Sequence, residues 1–436
     1  MLLTRLKDAC RQVPWIVDPW RALCRERMHR DYRRRREYYA GLIRDRGLVC
    51  RESEVVGQIR QRMADRGYSP TVRKPGEIHT FTFVPRRSWH PTLFPDLYEL
   101  GPVSEFDYAA HGYRVSQFRT CGARGVRRRQ EMNDMVLPAL RKAHAERPVD
   151  WMFVYARGEE IQADVLRTVV DELGIPVVNM CFDDKQSWAG PVFGGQRTGQ
   201  IDIASAFDLS WTSSRMACDW YLAEGARPIY LPEGFDRNAY RPLPVDRDIP
   251  VSFIGAGYGC RPPIVRYLRR NKIPIRVYGS LWNTRWVSFD EQVEIFNRSQ
   301  INLGIGGILT SEELTNVKGR DFEVPATGGG LYLTTFNPDL AQHFDIGREI
   351  VCYRTRDEMV ELIRHYLAHP EEAREIARRG RQRCLAEHRW LHRYARVCRI
   401  LGILPAETAG AEPDLRLAEQ PPTEYGEPDR LTARSA

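Results

Sequence analysis

The sequence predicts an α/β protein of two tandem doubly wound domains, and three observations carry that prediction. From residue 77 onward, short apolar, β-branched runs alternate with segments of helical periodicity, the pattern of a parallel sheet covered on both faces. The alternation stops at PLPVDRDIP, residues 242–250, which holds three prolines and no apolar periodicity, and then starts afresh. A chain of 436 residues is also too long for one ordinary core, so two domains plus extensions fit its length.

Residues 1–75 read as a basic helical extension, clearest in RERMHRDYRRRREYYAGLIRDRG. Its arginines at 33–36 suit phosphate or an acidic membrane surface, or else form a solvated helical face. Tyr32, Tyr38 and Tyr39 are expected to pack, because no nucleic-acid-binding signature accompanies them; no specific nucleic-acid partner is expected. The opening MLLTRLKDACRQVPWIVDPW lacks the sustained apolar region and small-residue cleavage site of a secretory signal.

Residues 76–240 form the first domain, with strands at HTFTFV, DWMFVYA, IPVVNMCF, FDLSWT and PIYLP. Helices read from RRRQEMNDMVLPALRKAHAE and GEEIQADVLRTVVDELG. Residues 250–400 form the second, with VSFIGA, a helix from about 263, IRVYG, a helix at EQVEIFNRS, INLGIG, the stretch VKGRDFEVPATGGG, LYLTT and REIVCY. Helical periodicity then runs from 355 to about 401, with a turn at His369-Pro370. The tail at 405–436 is rich in Pro, Glu, Ala and Thr and reads as disordered.

No apolar run approaches the roughly 20 residues of a membrane helix, so a cytoplasmic location is expected, with membrane association only through the basic extension. Ten cysteines are scattered without a CxxC or a Cys/His cluster, so neither a zinc site nor a disulfide framework is expected, and no metal. The net charge of +8 and pI near 9.0 suit an anionic ligand, a nucleic acid or an acidic membrane.

Open parallel sheets bind ligands at the carboxyl ends of their strands. In the second domain two segments reach that edge. One is the turn Gly255-Ala256-Gly257-Tyr258-Gly259-Cys260-Arg261, whose glycines would let backbone amides approach a phosphate while Arg261 adds charge. It is not the Gly-x-Gly-x-x-Gly of dinucleotide enzymes, and the next strand, IRVYG, brings no acidic residue for a ribose, so a nicotinamide dehydrogenase is disfavoured. The other segment opens near Gly319. There Lys318 and Arg320 would neutralise a diphosphate while Glu323 accepts hydrogen bonds from ribose hydroxyls, or Arg320 and Glu323 form a surface ion pair. Loops near Tyr278 and Trp282 would recognise a base. In the first domain Asp183 and Asp184, at the end of IPVVNMCF, are the candidate bases for an acceptor hydroxyl, unless they cap the next segment. His90 and His111 are weaker candidates, and Trp188 would either stack on an acceptor sugar or pack.

These residues resemble the CgeB-like spore-maturation glycosyltransferases, a branch of the enzymes with the two-Rossmann GT-B architecture. In the second half the likeness runs through Val251-Ser252-Phe253-Ile254-Gly255, Arg261, Tyr278-Gly279 with Trp282, Ile301-Asn302-Leu303, Arg320-Asp321-Phe322-Glu323, the glycine stop and LYLTT. It continues through Phe344, Glu349-Ile350, DEMVELIRHYLAHPEEAREIARRG and His388. In the first half it includes FTFVPRRSWHPTLFPDLYELG, Cys181-Phe182-Asp183-Asp184 and Leu231-Pro232-Glu233-Gly234-Phe235-Asp236. It covers about 77–400. The resemblance implies a GT-B glycosyltransferase that moves a sugar from a nucleotide-diphosphate donor in the second domain to an unknown acceptor facing the first, without metal or cofactor. It places Glu323 at the family's ribose-binding glutamate. The glutamate that many relatives carry eight residues earlier falls here on Thr315, with Glu312 and Glu313 close by. A nucleotide-sugar epimerase and a non-catalytic binding or surface-assembly protein of the same fold remain the alternatives.

Overall fold

The computed structural model of the chain describes residues 14–406, apart from 85, 121, 194 and 283–286. Two parallel sheets frame it. The first contains β1 (Thr80–Phe83), β2 (Val103–Glu105), β3 (Trp151–Val154) and β4 (Val177–Cys181). After an antiparallel hairpin of β5 (Val192–Phe193) and β6 (Gln196–Arg197), it continues with β7 (Leu209–Thr212) and β8 (Pro228–Tyr230). Its order is β2-β1-β3-β4-β7-β8. The second contains β9 (Ile249–Ile254), β10 (Ile275–Tyr278), β11 (Ser299–Leu303), β12 (Leu331–Thr335) and β13 (Val351–Tyr353), in the order β10-β9-β11-β12-β13. In each sheet the strand order reverses beside the first strand, between β1 and β3 and between β9 and β11. A crevice opens at such a reversal, because the flanking connections leave on opposite faces.

Every residue of β1, β3, β4 and β7 is buried, which explains why TFTF, WMFV, VVNMC and LSWT read as runs and not as alternations. The edge strand β2 escapes sequence reading because its three residues are only half-buried and too few to show a period. The segment RRRQEMNDMVLPALRKAHAE lies in two helices, Gly122–Asp134 and Val136–Glu146.

The domain boundaries differ from those the composition suggests. The described part of the extension is integral to the first domain. Helix Pro14–Asp45 lays Tyr32 and Tyr39 against Trp188, Trp220 and Tyr221, and helix Glu52–Asp65 puts Val55, Ile59 and Met63 into the core beneath β3 and β4. The last described helix, Trp390–Ile400, belongs to that same core through Trp390, Tyr394, Val397 and Cys398, so the chain returns there to its first half. The crossing between domains is not the proline-rich 242–250 stretch. It is a paired crossing in which Phe235 N–H donates to the His388 carbonyl and Trp390 N–H to the Phe235 carbonyl, each at 3.2 Å. By Tyr240 the chain already sits in the second domain's core, and the Leu243 amide donates to Asn297 Oδ1 at 3.0 Å. Prolines mark where the backbone lacks ladder partners, whereas the true crossing is held by ladder-type bonds that no composition shift reveals. The expected tail lies outside the described residues from 407 onward, as does the extension before 14. No described helix is long and apolar enough to cross a membrane.

Candidate active site

The stretch VKGRDFEVPATGGG is shaped by packing at its end and by charge at its start. Helix Arg320–Thr327 buries Phe322, Val324, Pro325 and Ala326, and stops at Gly328, whose φ of 63° is left-handed. A β-carbon on Gly329 would strike the Asn297 backbone, and one on Gly330 the Ser299 carbonyl, so the helix closes tightly onto the start of β11. This pins its first turn at the β9/β11 reversal.

Two cavities meet there. The inner one, of about 220 Å³, is lined by Gly255, Arg261, Asn302, Lys318, Arg320 and Asp321 among others. The outer one, of about 420 Å³, lies between the domains, with Asp183, Tyr155 and Glu233 on the first domain's side and Tyr240, Lys318, Arg320 and Glu323 on the second's. Lys318 and Arg320 line both. The Lys318 ammonium makes no hydrogen bond or ion pair among the described residues, while its amide donates to Asp321 Oδ2 at 2.7 Å. Arg320 is held on three sides: by Glu323 at 3.3 Å, by Gln292 Oε1 at 2.8 Å and by the Phe296 ring at 5.1 Å. Asp321, which sequence reading passed over, is buried, accepts from Tyr332 at 2.7 Å, and is pushed up to about 6 by burial.

The glycine turn is arranged differently from the expectation. Gly255 N–H donates to the Tyr278 carbonyl at 2.9 Å and Gly257 N–H to the Ser280 carbonyl at 2.8 Å, so neither amide is free for a phosphate. A β-carbon on Gly257 would lie 2.8 Å from both the Leu281 carbonyl oxygen and the Trp282 ring, so that glycine is there to let backbones meet. Arg261 does line the inner cavity, steadied by the Ala256 carbonyl at 3.0 Å and by the Tyr258 ring at 4.8 Å. Tyr278 lines neither cavity; its half-buried ring packs against the second domain's core.

The acidic pair separates. Asp183 lines the cleft, whereas Asp184 is fully buried, accepting from Thr212 Oγ1 at 2.5 Å and Tyr221 at 2.6 Å, and cannot reach an acceptor. Burial pushes Asp184 up to about 6. Adjacent residues on one short turn point oppositely, which spacing alone did not separate. Trp188 is also buried, donating to the Tyr39 hydroxyl at 2.9 Å, so its role is packing. His111 stacks on Phe106 with ring centres 5.2 Å apart, and the His90 side chain lies outside the described residues. Around Thr315, Glu312 pairs with Arg356 at 3.0 Å and Glu313 approaches His29 at 3.4 Å; neither lines the cleft. The Thr315 carbonyl instead accepts from Lys185 of the first domain at 2.7 Å. Glu233, which has no periodic or charge signal of its own in LPEGFD, is the cleft residue that sequence reading assigned no role. Among the described residues no cluster of three or more His, Cys, Asp or Glu is placed to hold a metal ion.

Residues 261–399 match the family described as glycosyl transferase-like. No curated protein matches the chain. Among solved structures, the Anabaena protein HepE, determined with UDP-glucose, is similar at 11% identity over 75% of this chain and 99% of its own, with a TM-score of 0.47. The sucrose-phosphate synthase of Thermosynechococcus elongatus is similar at 12% identity over 62% of this chain and 78% of its own, with a TM-score of 0.42.

Proposed function

We propose that the chain is a glycosyltransferase of GT-B architecture, of the CgeB-like kind, moving a sugar from a nucleotide-diphosphate donor held by the second domain to an acceptor lying against the first. The observation that carries this reading is the pair Lys318 and Arg320, which faces both the cavity at the β9/β11 reversal and the interdomain cleft. The match of residues 261–399 supports it from a separate direction.

Breaking the bond between the anomeric carbon and a diphosphate oxygen builds negative charge on the leaving group, so fixed cations at that oxygen are the main lever. Lys318, whose ammonium makes no hydrogen bond or ion pair among the described residues, takes the diphosphate with Arg320 and Arg261. Glu323 accepts from the ribose hydroxyls. Asp183, on the opposite wall, accepts the acceptor's proton in an inverting transfer. The basic helix Pro14–Asp45 is the surface for peripheral contact with an acidic membrane from the cytoplasmic side. Its Arg25, Arg30 and Arg33 line one groove together with Glu26 and Glu313 and make no ion pair among the described residues, with Trp20 and Leu23 exposed nearby.

Thermal melting with UDP, GDP, dTDP and ADP tests the donor reading. One nucleotide at about a hundred times its Kd should stabilise the protein by about 2.7 kcal/mol, and Lys318→Ala should cut that to about 0.4–1.4 kcal/mol without lowering the unliganded Tm. No shift with any nucleotide favours a non-catalytic binding protein of this fold, a reading that Thr315 and the engagement of Glu312 with Arg356 keep in view.

A further inference from the structure

Glu233 follows β8 in the segment that crosses between the domains, and its place is fixed from behind. The buried guanidinium of Arg393 donates to the Pro232 carbonyl at 3.2 Å and the Glu233 carbonyl at 3.4 Å. From the other side of the cleft, helix Arg320–Thr327 brings Glu323. The two carboxylates meet over Gly319: a β-carbon there would lie 2.5 Å from Glu233 Oε2 and 3.3 Å from Glu323 Oε1. Gly319 is therefore the residue that lets the carboxyl groups of different domains share one space. Two carboxylates so close do not both ionise without cost. Glu323 has Arg320 as its counter-charge at 3.3 Å, whereas Glu233 makes no ion pair among the described residues.

The charged groups facing Glu233 are Glu323 and Arg320 on the helix, Lys318 just before it, and Asp183 on the first domain, with the phenols of Tyr155 and Tyr240 alongside. Burial first, and the Glu323 carboxylate second, push Glu233 up to about 8, with Asp183 adding to the rise and Lys318 and the Gly319 N–H opposing it.

Building on the donor reading above, we propose that Glu233 is a positioning residue: in its neutral form it bridges the cleft to Glu323 and holds the 318–323 turn in the geometry that grips the donor. Once ionised it repels Glu323 and loosens that turn. Donor binding thus carries a built-in alkaline limit set by a residue that does not touch the donor.

Glu233→Gln keeps the shape of the neutral form and removes its proton. Nucleotide affinity of the wild type should weaken about tenfold from neutral pH to about pH 9, because only the neutral fraction is competent, while that of Glu233→Gln stays flat. A parallel loss in both overturns the proposal. Melting without nucleotide separates this inference from the donor reading. The folded protein holds a proton on Glu233 that the unfolded chain has released, so wild-type stability falls relative to Glu233→Gln as pH rises from the ordinary carboxylate range to about 8, and levels off above it. If no nucleotide binds at any pH the donor reading fails, and the melting comparison still decides for or against Glu233. Glu323→Gln, which removes the opposing carboxylate but leaves the burial, should lessen the same slope; a slope unchanged in both variants overturns the proposal even if one of them folds poorly.

Discussion

The turn at 255–259 and the stretch at 317–330 look alike in sequence, each glycine-rich and beside arginine, yet they work in opposite ways. In the first, the glycines let three backbone segments touch, and the Gly255 and Gly257 amides are consumed by Tyr278 and Ser280. In the second, Gly328, Gly329 and Gly330 sit behind the helix and anchor it on β11, and Lys318 stands at the cavity mouth with no ion pair among the described residues. A glycine-rich turn announces close approach but not to what; only an unspent donor beside a cavity announces a ligand. The acidic pair teaches the same lesson at one-residue resolution, with Asp183 on the cleft and Asp184 inside the first domain.

The sharpest break of this comparison separates the two aspartates. Asp183→Asn should lower kcat by about a hundredfold to ten-thousandfold with Tm unchanged, as expected for a lost general base. Asp184→Asn should leave the chemistry of the folded fraction intact and cost about 1–3 kcal/mol in denaturant unfolding, since Thr212 and Tyr221 lose a charged acceptor. Equal kinetic losses in both would return Asp184 to the site.

Next in size is the contrast between cation and glycine. Lys318→Ala should weaken nucleotide binding by about 1.5–3 kcal/mol, roughly tenfold to a hundredfold in Kd by titration calorimetry, without destabilising the fold. Gly257→Ala should do the reverse. Its β-carbon meets the Leu281 carbonyl and the Trp282 ring, so stability should fall by about 1–3 kcal/mol while the folded fraction keeps its affinity. Lost affinity in a well-folded Gly257→Ala would show that the turn serves the ligand after all.

The smallest effect concerns the first domain's aromatic cluster. Trp188→Phe removes the hydrogen bond to Tyr39 and should cost about 0.5–1.5 kcal/mol, with faster proteolysis of helix Pro14–Asp45 and no change in acceptor kinetics.

What the sequence determined by itself was local and periodic. Buried runs such as WMFV and LYLTT, the helix stop at Gly328 and the return of the alternation after 250 all follow from neighbour-to-neighbour spacing, and all appear as strands, caps and a second sheet. Tertiary structure alone decided which groups were already spent. Whether the Gly257 amide, the Asp184 carboxylate or the Trp188 indole faces a ligand depends on partners 23, 37 and 149 positions away in the chain: Ser280, Tyr221 and Tyr39. The return of helix Trp390–Ile400 to the first domain and the meeting of Glu233 with Glu323 are likewise set by three-dimensional packing. Periodicity records which face of an element is buried, but not what it is buried against, and the chemistry of this cleft resides in that second fact.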